Sequence, residues 1–313
     1  MVLRIDICSD LHVDRNNQKT SLLVQPGTGP THWPAGQVGN RDAFFAFDFE
    51  WYRNPGSSIC IIAGDVSDSL NETIDVIEHA AKFYEHVVFV DGNHEHYNAD
   101  YRLNMILFPD DFHDKLNVLD TMYELRAHFA NSPNIHYLDG LTDVSWRHGD
   151  TLFIGANCWY DWLAHEPRGI AKQTAFWEWH ISSHDRTLDF DEFGLPDALG
   201  LVQLTNMHSA FEEANNNPAI KHVVVVTHTA PSQQFTKWEG NQSRWDKLTP
   251  SYVNTGAQSI INANTKDKLK LWAFGHTHNR VRVDYDGTIY VNNGYGIPHN
   301  SLGTFQMETV EIK

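Results

Sequence analysis

The fold is decided by the stretch from residue 58 to residue 94, SICIIAGDVSDSLNETIDVIEHAAKFYEHVVFVDGNH. Two short apolar runs, residues 58–63 and 87–90, have the length and composition of buried strands. Between them apolar residues recur every three or four positions, and Ser69 and Glu72 are spaced like a capping box, so we predict a helix over about residues 70–85. A strand, a helix and a strand with short links favour a parallel crossover and therefore an α/β fold.

Outward from this unit, the same criteria predict elements along most of the chain. A first buried strand is expected at residues 3–8, and Asp286-Gly287 is typical of a hairpin turn. Prolines and glycines at residues 26–30 indicate a loop within residues 15–57. The remaining predicted helices are residues 111–130 and 199–214, and the remaining predicted strands are residues 135–138, 143–147, 151–155, 223–226, 270–274, 280–285, 288–292 and 304–310.

No internal repeat, low-complexity tract or clear linker divides the chain of 313 residues. We therefore expect a single domain over residues 1–313, with a Trp-rich, cap-like insertion at about residues 156–220. Its tryptophans are Trp159, Trp162, Trp177 and Trp179. Such rings could stack on a nucleobase or a phenyl group of a substrate, but we favour a second small core, because tryptophan is usually buried.

The chain is strongly acidic, with 40 Asp and Glu against 23 Lys and Arg and a formal net charge of −17. This charge repels phosphate backbones and argues against a nucleic-acid polymer as partner. No apolar run approaches the roughly 18 residues of a membrane span, and the first residues lack the pattern of a signal peptide, so we expect no membrane association. Cys8, Cys60 and Cys158 lie in apolar segments, which indicates buried thiols and favours the cytoplasm. The oligomeric state is left open.

Side chains able to bind metals follow five of the predicted strands. In chain order they are Asp10 and His12, Asp65 and Asp68, Asn93 and His94, His228, and His276 and His278. Because ligand sites gather at the carboxyl ends of strands in open α/β sheets, we expect these segments to converge. Each motif alone has an ordinary structural explanation, such as a turn, a helix cap or a buried histidine. Their conjunction in this order predicts a metal site.

These ordered motifs resemble the calcineurin-like metallophosphoesterase family, with a form closest to its bacterial cyclic-nucleotide phosphodiesterase group. The matching motifs are Asp10-x-His12, Gly64-Asp65-x-x-Asp68, Gly92-Asn93-His94-Glu95, His228 and Gly275-His276-x-His278. They cover the chain from about Leu3 to about Pro298. The resemblance implies a four-layer α/β/β/α sandwich of two mixed sheets that carries a two-metal site.

The resemblance also implies a role for each residue. The first metal ion would be held by Asp10, His12, Asp65 and His278, and the second by Asp65, Asn93, His228 and His276. Asp65 would therefore bridge the two ions. His94 matches the catalytic histidine of the family, and Asp68 matches the carboxylate that orients it. His96 and Tyr97 follow directly and are candidates for the rim of the site.

This ligand set contains only nitrogen and oxygen donors and suits Mn, Fe or Zn without choosing between them. Two such ions can clamp the attacking and leaving oxygens of an in-line displacement, and they supply hydroxide by lowering the pKa of a shared water. His94 is then available to protonate the leaving oxygen. We therefore expect an enzyme that hydrolyses a small-molecule or nucleotide phosphoester.

Alternatives to a phosphodiesterase stay open at this point. Asp68 is followed by Ser69-Leu70, whereas protein Ser/Thr phosphatases have Arg-Gly there, so a phosphomonoesterase acting on proteins is disfavoured. The motifs do not distinguish a phosphodiesterase from a phosphomonoesterase that acts on small molecules. A non-catalytic scaffold of the same fold has no need of an intact pair of His94 and Asp68 beside seven metal ligands.

Overall fold

The computed structural model describes residues 2–14, 47–97, 117–164, 176–177, 180, 183, 185, 188–236, 251–296 and 305–313. This part of the chain forms two mixed β-sheets with helices on their outer faces. In the described residues no helix has both the length and the apolar character that a membrane span needs.

The first sheet contains five strands. They are Leu3–Cys8 (β1), Ile59–Ala63 (β2), His86–Val90 (β3), Ile135–Tyr137 (β4) and Glu308–Ile312 (β11). Their order across the sheet is β11-β1-β2-β3-β4. The strands β1 to β4 pair in parallel, and β11 joins β1 in antiparallel orientation. The predicted parallel crossover from β2 to β3 is therefore present.

The second sheet contains six strands. They are Ser145–His148 (β5), Thr151–Ala156 (β6), His222–Thr227 (β7), Leu269–Phe274 (β8), Arg280–Tyr285 (β9) and Thr288–Asn293 (β10). Their order is β5-β6-β7-β8-β10-β9, with antiparallel pairs only at the two edges. The predicted hairpin turn joins β9 to β10, and Asp286 and Gly287 have φ values of 51° and 74°. A two-residue turn with two positive φ values is the type I′ turn that suits the twist of a hairpin.

Side chains alternate between two apolar layers along the central strands, because successive residues of a strand point to opposite faces. On β2, Ile59 and Ile61 face the space between the two sheets, whereas Cys60 and Ile62 face the helices. On β7, Val224 and Val226 face the space between the sheets, and the residues before them face outward. Strands buried on both faces appear as continuous apolar runs in a sequence, which explains the runs from which they were predicted.

Helices cover the outer face of each sheet. In chain order they are Phe49–Tyr52 (α1), Leu70–Ala80 (α2), Val118–Phe129 (α3), Pro196–Asn216 (α4) and Gln258–Ala263 (α5). Apolar residues of α2 and α3 share a core with the first sheet, and those of α4 and α5 share one with the second. The four-layer α/β/β/α sandwich implied by the sequence is therefore confirmed.

The helix boundaries differ from the predictions for local reasons. The helix α2 begins after Ser69, whose hydroxyl accepts the N–H of Glu72 at 3.2 Å, as a capping box predicts. It ends at Ala80 rather than near residue 85, because the N–H groups of Lys82 and Phe83 bond to carbonyls three residues back and tighten the chain. The predicted helix 111–130 is observed from residue 118, and residues 111–116 lie outside the described residues.

Part of the expected Trp-rich insertion, including residues 165–175 and Trp179, lies outside the described residues, and the insertion as a unit stays a prediction. Its described end, α4, packs on the second sheet. Trp159 and Trp162 are buried in a small separate core that also contains Met122 of α3. For these two rings the interpretation as a second core holds. Trp177, in contrast, is 61% exposed.

A buried carboxylate on β1 joins three separate parts of the first sheet. Asp6 has no exposed surface. It accepts the hydroxyl protons of Ser57 at 2.7 Å, Tyr84 at 2.9 Å and Thr309 at 2.6 Å. It also accepts the backbone N–H of Asn54 at 2.8 Å. Tyr84 is buried and the other three donor residues are partly buried, so removal of the carboxylate would leave these donors without their common acceptor.

We expect Asp6→Ala to lower the free energy of unfolding by about 3 kcal/mol, since one buried and three partly buried donor residues lose their common acceptor. Urea denaturation followed by circular dichroism measures this change. Asp284→Ala is the matched control, because Asp284 is an exposed aspartate on β9, and it should change stability by less than about 0.5 kcal/mol. Equal effects of the two substitutions would contradict this role of Asp6.

Candidate metal centre

The loops that follow β1, β2, β3, β7 and β8 meet at the carboxyl ends of both sheets. Backbone hydrogen bonds tie them together: Asp10 N–H donates to the carbonyl of Gly64 at 3.0 Å, and Gly275 N–H donates to the carbonyl of His228 at 2.9 Å. The side chain of Asp10 accepts the N–H of His276 at 2.8 Å. Loops that were separate in the sequence thus form one surface, as strand ends in such sheets do.

Three groups of potential ligand atoms lie in this surface. One contains His12, Asp68 and His94, and Asp65 belongs to both of the others. Of these two, the first contains Asp10, His12, Asp65 and His278, and the second contains Asp65, His228 and His276; within each group the ligand atoms lie within 4.8 Å of one another. In the first group, Nε2 of His12 lies 3.0 Å from Nε2 of His278. In the second, Nε2 of His228 lies 3.1 Å from Nδ1 of His276. The two groups correspond to the two ligand sets that the resemblance implied.

Backbone carbonyls outside the centre determine the tautomers of the two histidines in the second group. Nδ1 of His228 is 2.8 Å from the carbonyl of Ala63, and Nε2 of His276 is 2.9 Å from the carbonyl of Ser251. Since a carbonyl only accepts, each of these nitrogens carries the proton. The opposite nitrogens, Nε2 of His228 and Nδ1 of His276, point into the centre and lie 3.1 Å apart. One cation can occupy the position between them, either a proton on His228 or a metal ion that displaces it.

Asn93 completes the second group. Hydrogen bonds on the side away from the centre fix the orientation of its amide. Its Nδ2 donates to Asp185 at 3.1 Å and to the hydroxyl of Tyr97 at 3.2 Å. Its Oδ1 therefore faces the centre, 3.1 Å from Nε2 of His228. Asp185 is buried and also accepts the hydroxyl protons of Tyr97 and, at 2.7 Å, of Tyr160. The amide of Asn93 thereby offers an oxygen ligand to the centre without adding charge.

The buried carboxylate of Asp65 lies between the two groups. Its Oδ1 accepts the N–H of His94 at 2.9 Å. Among the described residues, no donor makes a hydrogen bond of ordinary geometry to its Oδ2. The Nε2 atoms of His228 and His12 lie 3.2 Å and 3.9 Å from this oxygen. An unbonded carboxylate oxygen surrounded by imidazole nitrogens is the donor set that a metal ion requires, and the residues present therefore fit a pair of metal ions.

Burial and charge determine protonation in the centre. Burial raises the pKa of Asp10. It acts in the same direction at Asp65, but the charges of His228, His94 and His12 together hold the pKa of Asp65 well below its ordinary value. Burial lowers the pKa of His276 to about 3, and it also lowers the pKa of His278. At His228, burial acts to lower the pKa, but the charges of Asp65 and Asp10 and the hydrogen bonds to Asp65 and Ala63 together raise the pKa to about 10. Two buried carboxylates thus attract positive charge, and His276 and His278 are neutral at pH 7, as metal ligands must be.

The backbone of the centre adopts an uncommon conformation. Of the ten described residues other than glycine that have a positive φ, five are candidate metal ligands. They are Asp10 at 52°, His12 at 41°, Asp65 at 56°, His276 at 68° and His278 at 52°. Such residues cost about 1–3 kcal/mol each and cluster at functional sites, where the surrounding structure holds them in place.

Two glycines of the motifs are explained by close approach. A Cβ atom on Gly92 would lie 2.2 Å from Oδ1 of Asp65, and one on Gly64 would lie 2.5 Å from Nδ1 of His228. Gly64 also has a φ of 79°. Any larger residue at either position would displace a candidate ligand.

His94 lies at the edge of the centre and is held by Asp68. Its Nδ1 is 2.5 Å from Oδ1 of Asp68, and its Nε2 is 3.8 Å from Oδ2 of Asp65. Because an ionised carboxylate only accepts, Nδ1 carries the proton and Nε2 is directed toward the centre. The side chain of His94 keeps 11% of its surface exposed, so a molecule in the centre can reach it.

Glu95 supports the loops rather than the ligands. Its buried carboxylate accepts backbone N–H groups of Gly92 at 2.6 Å, Asp65 at 3.0 Å and Val66 at 2.6 Å. It therefore joins the loop after β2 to the loop after β3, which carry Asp65 and His94. The sequence placed Glu95 in the motif but did not reveal this function.

The structure brings together all nine residues that the sequence singled out. In chain order they are Asp10, His12, Asp65, Asp68, Asn93, His94, His228, His276 and His278. His96 and Tyr97 were expected at the rim, but this expectation was wrong: both are buried, and His96 pairs with Asp91 at 2.8 Å. Asp185 was missed, because no motif surrounds it and its contact with Asn93 spans 92 positions.

Comparisons with known proteins agree with this geometry. The model of the calcineurin-like phosphoesterase family matches residues 3–280. An uncharacterized protein of Acanthamoeba polyphaga mimivirus is 22% identical over 241 residues, which are 76% of this chain and 78% of that protein. The solved structure of a phosphopantetheinyl hydrolase from Mycobacterium tuberculosis has a TM-score of 0.66 and 15% identity, covering 98% of this chain and 95% of that one. A dimetal phosphatase from Danio rerio matches with a TM-score of 0.45 and 13% identity, covering 98% of this chain and 91% of that one.

The structural likeness to the mycobacterial protein supports a shared fold. The family match begins before Asp10 and ends after His278, so it includes the whole candidate centre. The fold, the order of the motifs and their convergence on one surface all agree with it. The chain therefore belongs to the calcineurin-like phosphoesterase family, and it is a metal-dependent phosphoester hydrolase.

Proposed function

We propose that the protein hydrolyses a small-molecule or nucleotide phosphoester, with a phosphodiester preferred, at a centre that holds two metal ions. The observation that carries this proposal is the position of Asp65 in both groups of ligand atoms. A carboxylate has two oxygens and can bind two ions at once, and both groups are complete around it. A single-ion site would need only one of them.

In this proposal each of the two ligand groups binds one metal ion. The first ion is held by Asp10, His12, Asp65 and His278, and the second by Asp65, Asn93, His228 and His276. When bound, two such ions neutralise the charge of a phosphoryl group and activate water for in-line attack. The donors suit Mn, Fe or Zn. In an acidic chain, these ions would supply the positive field that attracts a phosphoester.

We infer that His94 assists the leaving group. Its protonated ring would place an N–H at Nε2 facing the centre, where it can donate a proton to the departing oxygen. Asp68 stabilises the protonated ring and keeps it in this orientation through the 2.5 Å contact. His94 is therefore the proposed catalytic residue, and Asp68 is a positioning residue.

The preference for a phosphodiester is the finer part of the proposal. It is supported by the form of the motifs and by Ser69 and Leu70 after Asp68, where an Arg would grip a phosphomonoester dianion. The acidic composition supports a small substrate over a nucleic-acid polymer. The name of the mycobacterial protein adds phosphopantetheinyl compounds to the substrates that should be tested.

A panel of phosphoesters tests the proposed function directly. The panel contains an aryl phosphate, an aryl phosphodiester, cyclic nucleotides and a phosphopantetheinyl compound. We expect turnover with Mn²⁺, faster for the diesters, loss of turnover after chelation, and recovery when Mn²⁺ is restored. Asp65→Asn is the control and should bind less metal and turn over none of the compounds. A protein that binds two ions and cleaves nothing would be a scaffold.

His94→Ala should retain both metal ions and lower kcat about 100- to 10,000-fold, the usual contribution of a general acid. Metal content and kcat are measured on the same sample. Asp68→Asn should cause a smaller loss, and the double variant should be no slower than His94→Ala, because Asp68 acts through His94. Loss of metal from His94→Ala, or additive losses in the double variant, would contradict these roles.

Asp185→Ala should weaken metal binding about 10- to 100-fold, which is typical when a group that orients a ligand is removed. The physical reason is that the amide of Asn93 would lose the acceptor that turns its oxygen toward the centre. Tyr160→Phe is the matched control, since it removes another hydrogen bond to Asp185 and leaves that of Asn93 in place. Competition with a fluorescent chelator measures both affinities, and equal values for Asp185→Ala and the wild type would exclude this role.

A further inference from the structure

Three histidines meet at the end of the sandwich opposite the candidate metal centre. His86 is the first residue of β3, a strand whose other end leads to Asn93 and His94. His136 lies on β4, and His148 is the last residue of β5. The strand β4 is an edge of the first sheet, and β5 is an edge of the second. Two sheet edges therefore contribute to one cluster.

The alternation of side chains directs all three histidines into the layer between the sheets. On β3, Val88 and Val90 face this layer, so His86 does as well. On β4, Ile135 and Tyr137 face the helices, so His136 faces inward. On β5, Trp146 packs against the apolar layer, and His148, two residues later, lies on the same side. Elsewhere this layer is lined by Ile, Val, Leu, Ala and Phe, and an imidazole cluster there is an exception.

The contact between two of the three histidines, His86 and His136, resembles those in the candidate metal centre. Nε2 of His136 lies 3.1 Å from Nδ1 of His86. The nitrogen contacts between candidate ligands in the metal centre are 3.0 Å and 3.1 Å. The ring of His148 lies 5.1 Å from the ring of His86, measured between centroids. All three side chains are partly exposed, so an ion can enter and a change of rotamer can bring His148 to it.

We propose that His86, His136 and His148 form a second, independent metal site for a divalent cation that prefers imidazole, such as Zn²⁺ or Cu²⁺. Imidazole donors alone suit these ions better than Mn²⁺ or Mg²⁺, which prefer oxygen ligands. Two nitrogens about 3 Å apart can both bind one ion at metal–nitrogen distances of about 2.1 Å. The site uses none of the residues of the candidate metal centre.

The electrostatic environment agrees with this use. Burial lowers the pKa of His136 to about 4, with the charges of His86 and His148 acting in the same direction. Burial and His148 also lower the pKa of His86, against the opposite effect of Glu85. The rings of His136 and His86 are therefore neutral at pH 7, and each offers a lone pair without the release of a proton.

Trp146 provides a reporter inside the site. Its indole stacks on the ring of His136 at 3.8 Å with an angle of 15° between the planes. An ion bound by His136 would lie within a few ångströms of the indole, where Cu²⁺ quenches fluorescence. The site can thus be followed separately from the metal centre at the other end of the sheets.

The test compares the Cu²⁺ bound per chain, after gel filtration, in protein already loaded with Mn²⁺. We expect His136→Asn and His86→Asn each to bind one Cu²⁺ fewer than the wild type, with phosphoesterase activity unchanged. His128→Asn is the matched control, because His128 is a partly exposed histidine on α3 that pairs with Glu78, and it should bind as the wild type does. Equal Cu²⁺ content in the wild type and both cluster variants would overturn the proposal.

A second measurement does not depend on the folding of the histidine variants. Cu²⁺ should quench part of the emission of the wild type, and Trp146→Phe should bind the same amount of Cu²⁺ but lose that part of the quenching. If Trp146→Phe and the wild type are quenched equally, the ion binds elsewhere and the proposal fails. Because activity is not the readout, this result is separate from success or failure of the phosphoester panel.

Discussion

The buried carboxylate of Asp65 requires a positive charge beside it. The loops around it are arranged so that imidazole groups or a bound cation can supply that charge. Its free oxygen faces imidazole nitrogens contributed by loops from both sheets. A carboxylate in this environment is stable only when a cation or an imidazolium compensates it. The paired glycines, the positive φ angles and the loop-joining Glu95 all serve to bring ligands close to this one group.

The ligands themselves are held by groups that never enter the centre. Carbonyls of Ala63 and Ser251 set the tautomers of His228 and His276, and Asp185 sets the amide of Asn93. These contacts fix the orientation of the donors, so the donors need little reorganisation to bind an ion. The cluster of His86, His136 and His148 differs from the centre in this respect. Its histidines contact mainly one another and the indole of Trp146.

The sequence predicts the strands and the candidate metal ligands better than it predicts the groups that orient those ligands. Strands such as β2 and β7 are continuous apolar runs, and the ligands follow them directly, so both were found. Which side of a doubly buried strand faces the other sheet is hidden in such a run, because every residue is apolar. Asp185 and the carbonyl of Ser251 act through contacts between distant segments. No local pattern encodes such contacts, and the burial of Tyr97 was missed for the same reason.

The ligands divide unequally between the layers of the sandwich. Those that follow β1, β2 and β3 belong to the first sheet, and the three histidines that follow β7 and β8 belong to the second. Bound ions would therefore join two sheets whose facing sides are apolar and whose loops are already linked by hydrogen bonds, such as that from His276 to Asp10. By mass action, whatever binds only the folded chain also stabilises it. The lifetime of the protein against unfolding and proteolysis is thus tied to the supply of metal around it.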